Sequence, residues 1–202
     1  MSEQYYDDLM NIKTGESQKG FVQSIHYYRY EPTPYQALEE LFKRYQLESS
    51  DYIVDFGCGK GRLIFFINYL FHANVVGIEM NKDLYKEALE NRKSYLKKFR
   101  ISEEKIQFYC GIAENYEISP FDNRFYFFNP FSIPIFMNIV NHILNSVEKY
   151  NRDIELILYY CSDDYIFFLE NQTAFELKEE ITLPGLFDHN PYERFLIYRL
   201  SN

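Results

Sequence analysis

The chain has 202 residues, 47% of them hydrophobic and 25% charged, a composition that excludes intrinsic disorder and supplies the apolar side chains of one packed core. A formal charge of −9 and an isoelectric point near 5 argue against a general polyanion-binding surface, because the field of the whole molecule repels nucleic acid. No apolar run approaches the ~20 residues of a membrane span, and the opening MSEQYYDDLM lacks the basic and apolar regions of a signal peptide, so a cytoplasmic protein without membrane association is expected.

The first 20 or so residues mix acidic, polar and glycine residues with weak periodicity, which predicts a loosely held arm or a short helix. From Ser24 the character changes. Pro32 and Pro34 push Glu31 and Thr33 away from helical angles, and Thr33, Pro34 and Gln36 stand as N-cap, first helical residue and capping-box partner of a helix. Leu38, Leu41, Phe42 and Tyr45 then recur at helical spacing, with Lys43 and Arg44 where a C-terminal dipole favours cations.

Beyond this helix, strands and helices alternate. DYIVDFG (51–57) and ANVVGIE (73–79) read as strands flanking the buried helix LIFFINYLF. Asn81 caps a helix running to about Phe99, followed by strands at 106–111 and 125–131. Ser132 opens a helix whose apolar stripe is Phe136, Ile139, Val140, Ile143, Leu144 and Val147. A fifth strand (154–160), a short helix over SDDYIFFLEN, and two strands joined by the turn-rich PGLFDHNPYE complete seven strands. Helical crossovers imply parallel pairing and the helix-free last connection an antiparallel hairpin, giving an α/β, doubly wound, mostly parallel seven-stranded sheet.

Cys58, Cys110 and Cys161 are odd in number, widely spaced and free of C-x-x-C pairs, so neither a disulfide framework nor a metal site is expected. The 20 Tyr and 19 Phe run along the whole chain and read as packing residues rather than as a base-stacking platform.

Ligands of such sheets bind at the carboxyl ends of the strands, beside the first strand. That place holds Asp55-Phe56-Gly57-Cys58-Gly59-Lys60-Gly61, where glycines at every second position allow a sharp turn and close ligand approach. Cys58 reads as a small residue that fits there, and the next helix presents free N–H groups suited to a carboxylate. Glu79, 18 residues past Gly61, ends the second strand where an acid accepts hydrogen bonds from ribose hydroxyls. Arg62 and the early third glycine break the dinucleotide fingerprint G-x-G-x-x-G, and no phosphate-binding G-x-x-x-x-G-K-[ST] is present.

VDFGCGKGR with VVGIE closely resembles the first two motifs of the class I, seven-stranded S-adenosylmethionine methyltransferases, and the likeness covers roughly residues 30–200. It implies a single domain, with residues 1–23 an N-terminal arm, 24–48 a capping segment and helix, and 49–202 a Rossmann-like core. By the same resemblance S-adenosylmethionine is the cofactor, Asp55 and the Gly57–Gly61 loop hold its methionine part, Glu79 its ribose, and Met80 its adenine. The class usually places an acid after the third strand for the adenine amino group. Here Ile112-Ala113 is apolar, leaving Glu114 or a backbone amide as the substitute.

A narrower likeness is to the non-SET-domain histone-lysine methyltransferases, which carry a tyrosine, an acid and a threonine before the first strand, similar to Tyr30-Glu31-Pro32-Thr33, and an N-x-F after the fourth, similar to Asn129-Pro130-Phe131. The latter tripeptide also resembles the [D/N]-P-P-[Y/F] motif of amino-group methyltransferases, which implies that Asn129 and Pro130 supply N–H acceptors and Phe131 a stacking ring. It is equally a plain strand-to-helix turn capped by Ser132. Candidate proton acceptors are His26, Tyr27, Tyr28, Tyr30, Asp163, Asp164 and His189, each with a plain packing, capping or surface reading beside it. The expected reaction is methyl transfer to nitrogen on a protein side chain, small amine or nucleobase, with duplex DNA disfavoured by charge. Two alternatives stand beside it: a cofactor-binding regulatory module, and an NAD(P)-dependent oxidoreductase.

Overall fold

The computed structural model describes residues 3–15 and 31–200. Helix α1 (Glu3–Met10) and helix α2 (Tyr35–Arg44) precede β1 (Tyr52–Phe56), α3 (Arg62–Phe71), β2 (Asn74–Glu79), α4 (Lys82–Phe99) and β3 (Ile106–Cys110). Then follow β4 (Arg124–Phe128), α5 (Ile133–Lys149), β5 (Ile154–Tyr159), α6 (Asp163–Gln172), β6 (Glu176–Thr182) and β7 (Arg194–Leu200). The seven strands form one sheet in the order β3-β2-β1-β4-β5-β7-β6. Strands β1 to β5 are parallel, and β7 runs antiparallel between β5 and β6. This is the expected doubly wound sheet with its closing hairpin, in which the last strand inserts between its two neighbours.

Alternation along the strands builds the two layers. Ile53, Val75, Tyr126 and Ile157 face one apolar cluster with α1 to α4, while Val54, Val76, Phe125, Phe127, Leu156 and Leu158 face a second with α5 and α6. Fully buried aromatic rings fill both, among them Tyr35, Phe65 and Phe66 on one side and Phe56, Phe127 and Phe136 on the other, so the aromatic excess is core packing to a large extent. No helix of the described residues is long and apolar enough to cross a membrane.

At the N-terminal end the short helix, one of the two alternatives expected there, is present as α1, and residues 3–15 are not loosely held: Tyr6, Asp7, Met10, Ile12 and Thr14 are all buried. Nor does Thr33 cap α2. The N-cap is Pro34, which makes no side-chain bond. The Thr33 hydroxyl is instead 2.7 Å from the Tyr126 hydroxyl on β4, and the first amide of α2, Tyr35 N, donates to Glu3 Oε1 at 2.9 Å. A carboxylate from α1 thus does the capping that the local sequence assigned to threonine. At α4 the expectation holds: Asn81 Oδ1 accepts from Asp83 N and Leu84 N.

The β3–β4 connection, residues 111–123, contains one short 3₁₀ turn (Ala113–Asn115) and no helix. The sheet surface beside β3 is therefore uncovered. Tyr109 is 48% exposed there, and a cleft of about 720 Å³ runs past Ile78, Tyr109, Ile112, Tyr116 and Tyr150.

Candidate active site

The glycine loop leaves β1 with Gly57, Gly59 and Gly61 all at positive φ (86°, 55° and 87°), a region that side chains with a Cβ enter only under strain. Gly61 is also required by space, and Gly57 is tightly enclosed. A Cβ on Gly61 would lie 2.7 Å from the Phe108 ring and 2.9 Å from Phe65. One on Gly57 would lie 3.2 Å from Pro130. The amides of Gly57 and Cys58 donate to Ile78 O at 2.9 and 3.0 Å, which stitches the loop to the end of β2.

Glu79 stands at that end, buried, with Oε2 accepting from Gly59 N at 2.9 Å and Oε1 from Asn81 N at 2.7 Å. A carboxylate has about four lone-pair sites, more than the backbone amides around it fill. Burial raises the Glu79 pKa above the usual carboxylate range, partly offset by the three backbone amides around it. Asp55, on β1, is pushed up to about 8 by burial and by the Glu79 charge, with no cation or hydrogen bond among the described residues offsetting them. Two buried acids with no counter-cation among the described residues form a cradle that favours a positively charged ligand. Cys58 is buried with its thiol pKa raised, and its Sγ would sit 2.6 Å from a Cβ on Gly77, so it is a small packing residue rather than a nucleophile.

Met80 and Ile112, each 45% exposed, follow β2 and β3, while Ala113 is buried and Glu114 half-buried. Asn129 follows β4 with φ of 39°, Pro130 stands beside Gly57, and Thr33 reaches the same strand through Tyr126. The structure thus brings Thr33, Asp55, the glycine loop, Glu79, Asn129 and Pro130 to one end of the sheet. Phe131 differs from the expected stacking ring: it is 3% exposed, lies in the second core cluster, and its carbonyl accepts from Tyr165 Oη at 2.6 Å. Phe128 and Tyr160 are partly exposed rings at this end, with centroids 6.4 Å apart. Tyr30, His26, Tyr27 and Tyr28 lie outside the described residues.

Arg62, Asn91, Tyr126 and Tyr160 were not singled out in the sequence. Arg62 stood in view only as the residue that breaks the dinucleotide fingerprint, and the other three carry no local motif.

Residues 33–120 match a family model described as a methyltransferase domain. No curated protein matches the sequence. Among solved structures, an RNA methyltransferase from Salinibacter ruber in complex with S-adenosyl-L-homocysteine is 18% identical with a TM-score of 0.55, over 85% of this chain and 93% of that one. A Pyrococcus abyssi tRNA (uracil-54, C5)-methyltransferase is similar at 16% identity and a TM-score of 0.58, over 85% of this chain and 40% of that one. The phosphoethanolamine N-methyltransferase 1 of Haemonchus contortus is similar at 12% identity and a TM-score of 0.62, over 82% of this chain and 42% of that one. These likenesses show the class I methyltransferase fold. The domain match spans the glycine loop and Glu79, and with the fold it defines the class: an S-adenosylmethionine-dependent methyltransferase.

Proposed function

We propose that this enzyme transfers the methyl group to a nitrogen atom, with its cofactor lying over the Gly57–Gly61 loop and its acceptor against Asn129. The observation that carries this reading is the approach of Pro130 to the glycine loop, where a Cβ added to Gly57 would lie 3.2 Å from the proline ring, so that the N-P-F turn stands beside the loop. In this reading Asp55 and the loop amides bind the methionine moiety, and the Glu79 carboxylate accepts the ribose hydroxyls. Met80 packs on the adenine, with Ala113 and Glu114 at its amino edge. Thr33, held on Tyr126, closes the methionine side.

When bound, the sulfonium supplies an activated methyl group. The residues of the chain then need only hold a nitrogen lone pair in line about 3 Å away and keep water out. Asn129 offers a side-chain oxygen and a carbonyl to the N–H groups of the acceptor, and its left-handed backbone holds them at the strand end. Phe128 and Tyr160 provide the ring surface that Phe131 does not. An ammonium acceptor sheds a proton before reaction, and Asp163, at the head of α6, with His189 and Tyr30 are the groups proposed to receive it.

Calorimetric titration with S-adenosylmethionine and S-adenosylhomocysteine tests the cofactor site. Wild type is expected to bind both, and Glu79→Ala to weaken binding by about 30-fold or more, since charge-assisted hydrogen bonds contribute about 1.5–3 kcal/mol each. Label from a radioactive methyl group tests the acceptor: nitrogen-bound methyl survives mild alkali, whereas release of the label as methanol would reject nitrogen in favour of a carboxylate.

A further inference from the structure

We infer that residues 3–15 are a working part of the cofactor site, held there by Asn91 and Arg62, which position the glycine loop. This rests on the cofactor site proposed above. Asn91, buried on α4, spends its whole amide on two other segments. Its Oδ1 accepts from Lys13 N at 2.8 Å, and its Nδ2 donates to Lys13 O and to Lys60 O, both at 3.1 Å. Asn91 therefore pairs with Lys13 as a strand neighbour would and fastens the loop carbonyl just before Gly61 in the same contact. The Lys60 ammonium, itself buried, reaches Glu87 on α4 at 2.8 Å.

Arg62 acts from the other side of Gly61. Its guanidinium is buried, lies 4.5 Å from the centroid of the Tyr35 ring, donates to Thr14 Oγ1 at 2.8 Å and to Thr33 O at 3.3 Å, and pairs with Glu3. Asp7 sets Thr14 in place by accepting from its amide at 2.6 Å and its hydroxyl at 2.8 Å, and it also accepts from Tyr35 Oη at 2.7 Å. The loop is thus tied at both ends. Ile78 O and Glu79 hold its first half, and the Asn91–Lys13 and Arg62–Thr14 pairs hold its second. A segment with three glycines at positive φ has many other conformations open to it, so whatever fixes it before binding lowers the ordering cost of binding.

The test uses the full chain with S-adenosylhomocysteine as the probe. Glu3→Gln alters a half-exposed side chain and Asn91→Ala a buried one, so the milder variant guards against simple unfolding. Both are expected to weaken binding, Asn91→Ala by about tenfold or more. Hydrogen exchange of the free protein is expected to show lost protection over residues 57–65, with that of β4 and β5 unchanged. Wild-type affinity in Asn91→Ala, or exchange that rises uniformly over the sheet, would overturn the inference. Absence of binding by wild type would instead overturn the cofactor site on which it rests.

Discussion

Gly61→Ala is expected to lower the stability of the free protein by about 2–5 kcal/mol and to abolish cofactor binding. Two independent effects add. A side chain in the left-handed region costs about 1–2 kcal/mol, and forcing a methyl group into a filled site costs about 1–3 kcal/mol. Both apply, because Gly61 has φ of 87° and its added Cβ would meet two aromatic rings inside 3 Å. Such a loss is a large share of the 5–15 kcal/mol typical of a folded domain. Urea denaturation measures it directly. Phe108→Leu in the same chain separates the two effects, since it removes the nearer ring and should restore part of the packing share while leaving the backbone share. A change below about 1 kcal/mol would mean that the loop relaxes around the methyl group.

Binding of S-adenosylmethionine is expected to tighten by about twentyfold between pH 6.5 and 8.5, through a single group near pH 8. Asp55 holds its proton in the free protein up to about that pH, whereas the ligand, carrying a sulfonium and an ammonium, favours the carboxylate. Below pH 8 binding must therefore release a proton, and affinity falls with acidity. The sign for stability is opposite. The folded chain keeps this proton from about pH 4 to 8 while the unfolded chain has lost it, so the contribution of Asp55 to the stability of the free protein declines as pH rises through that window. Asp55→Asn should flatten both dependences and raise the melting temperature of the free protein at pH 8.5. A wild-type affinity independent of pH would show that Asp55 is already ionised.

The strands themselves and the glycine loop were legible in the sequence because both rest on local signals. Period-two apolar runs such as YIVDF and NVVGIE hold their register whatever surrounds them, and three alternate glycines followed by an acid 18 residues on leave few ligand geometries. What escaped rests on contacts between distant residues. The segment EQYYDDLM looks polar because its buried partners, Arg62 and Tyr35, lie about 30 to 60 positions further on. Thr33 has every local feature of a helix cap, yet its hydroxyl lies against Tyr126, 93 residues away, and Glu3 takes its place. Phe131 reads equally as a platform or as core, and only the packing of α5 and α6 beneath it turns the ring inward.

The docking of residues 3–15 also bears on how the chain reaches its fold during synthesis. The partner of Lys13 is Asn91, 78 residues later, and that of Thr14 is Arg62, 48 residues later. At ribosomal rates of about 5–20 residues per second, α1 leaves the ribosome roughly 4–16 seconds before α4 can receive it. During that interval Tyr6 can pack on Tyr35 and Phe66, its ring partners at 4.7 and 5.1 Å, but the buried face of α4 is missing. The cofactor loop, though encoded in between, can gain its Arg62 tie early but its Asn91 tie only when α4 arrives, so the nascent chain should acquire full affinity for its cofactor late.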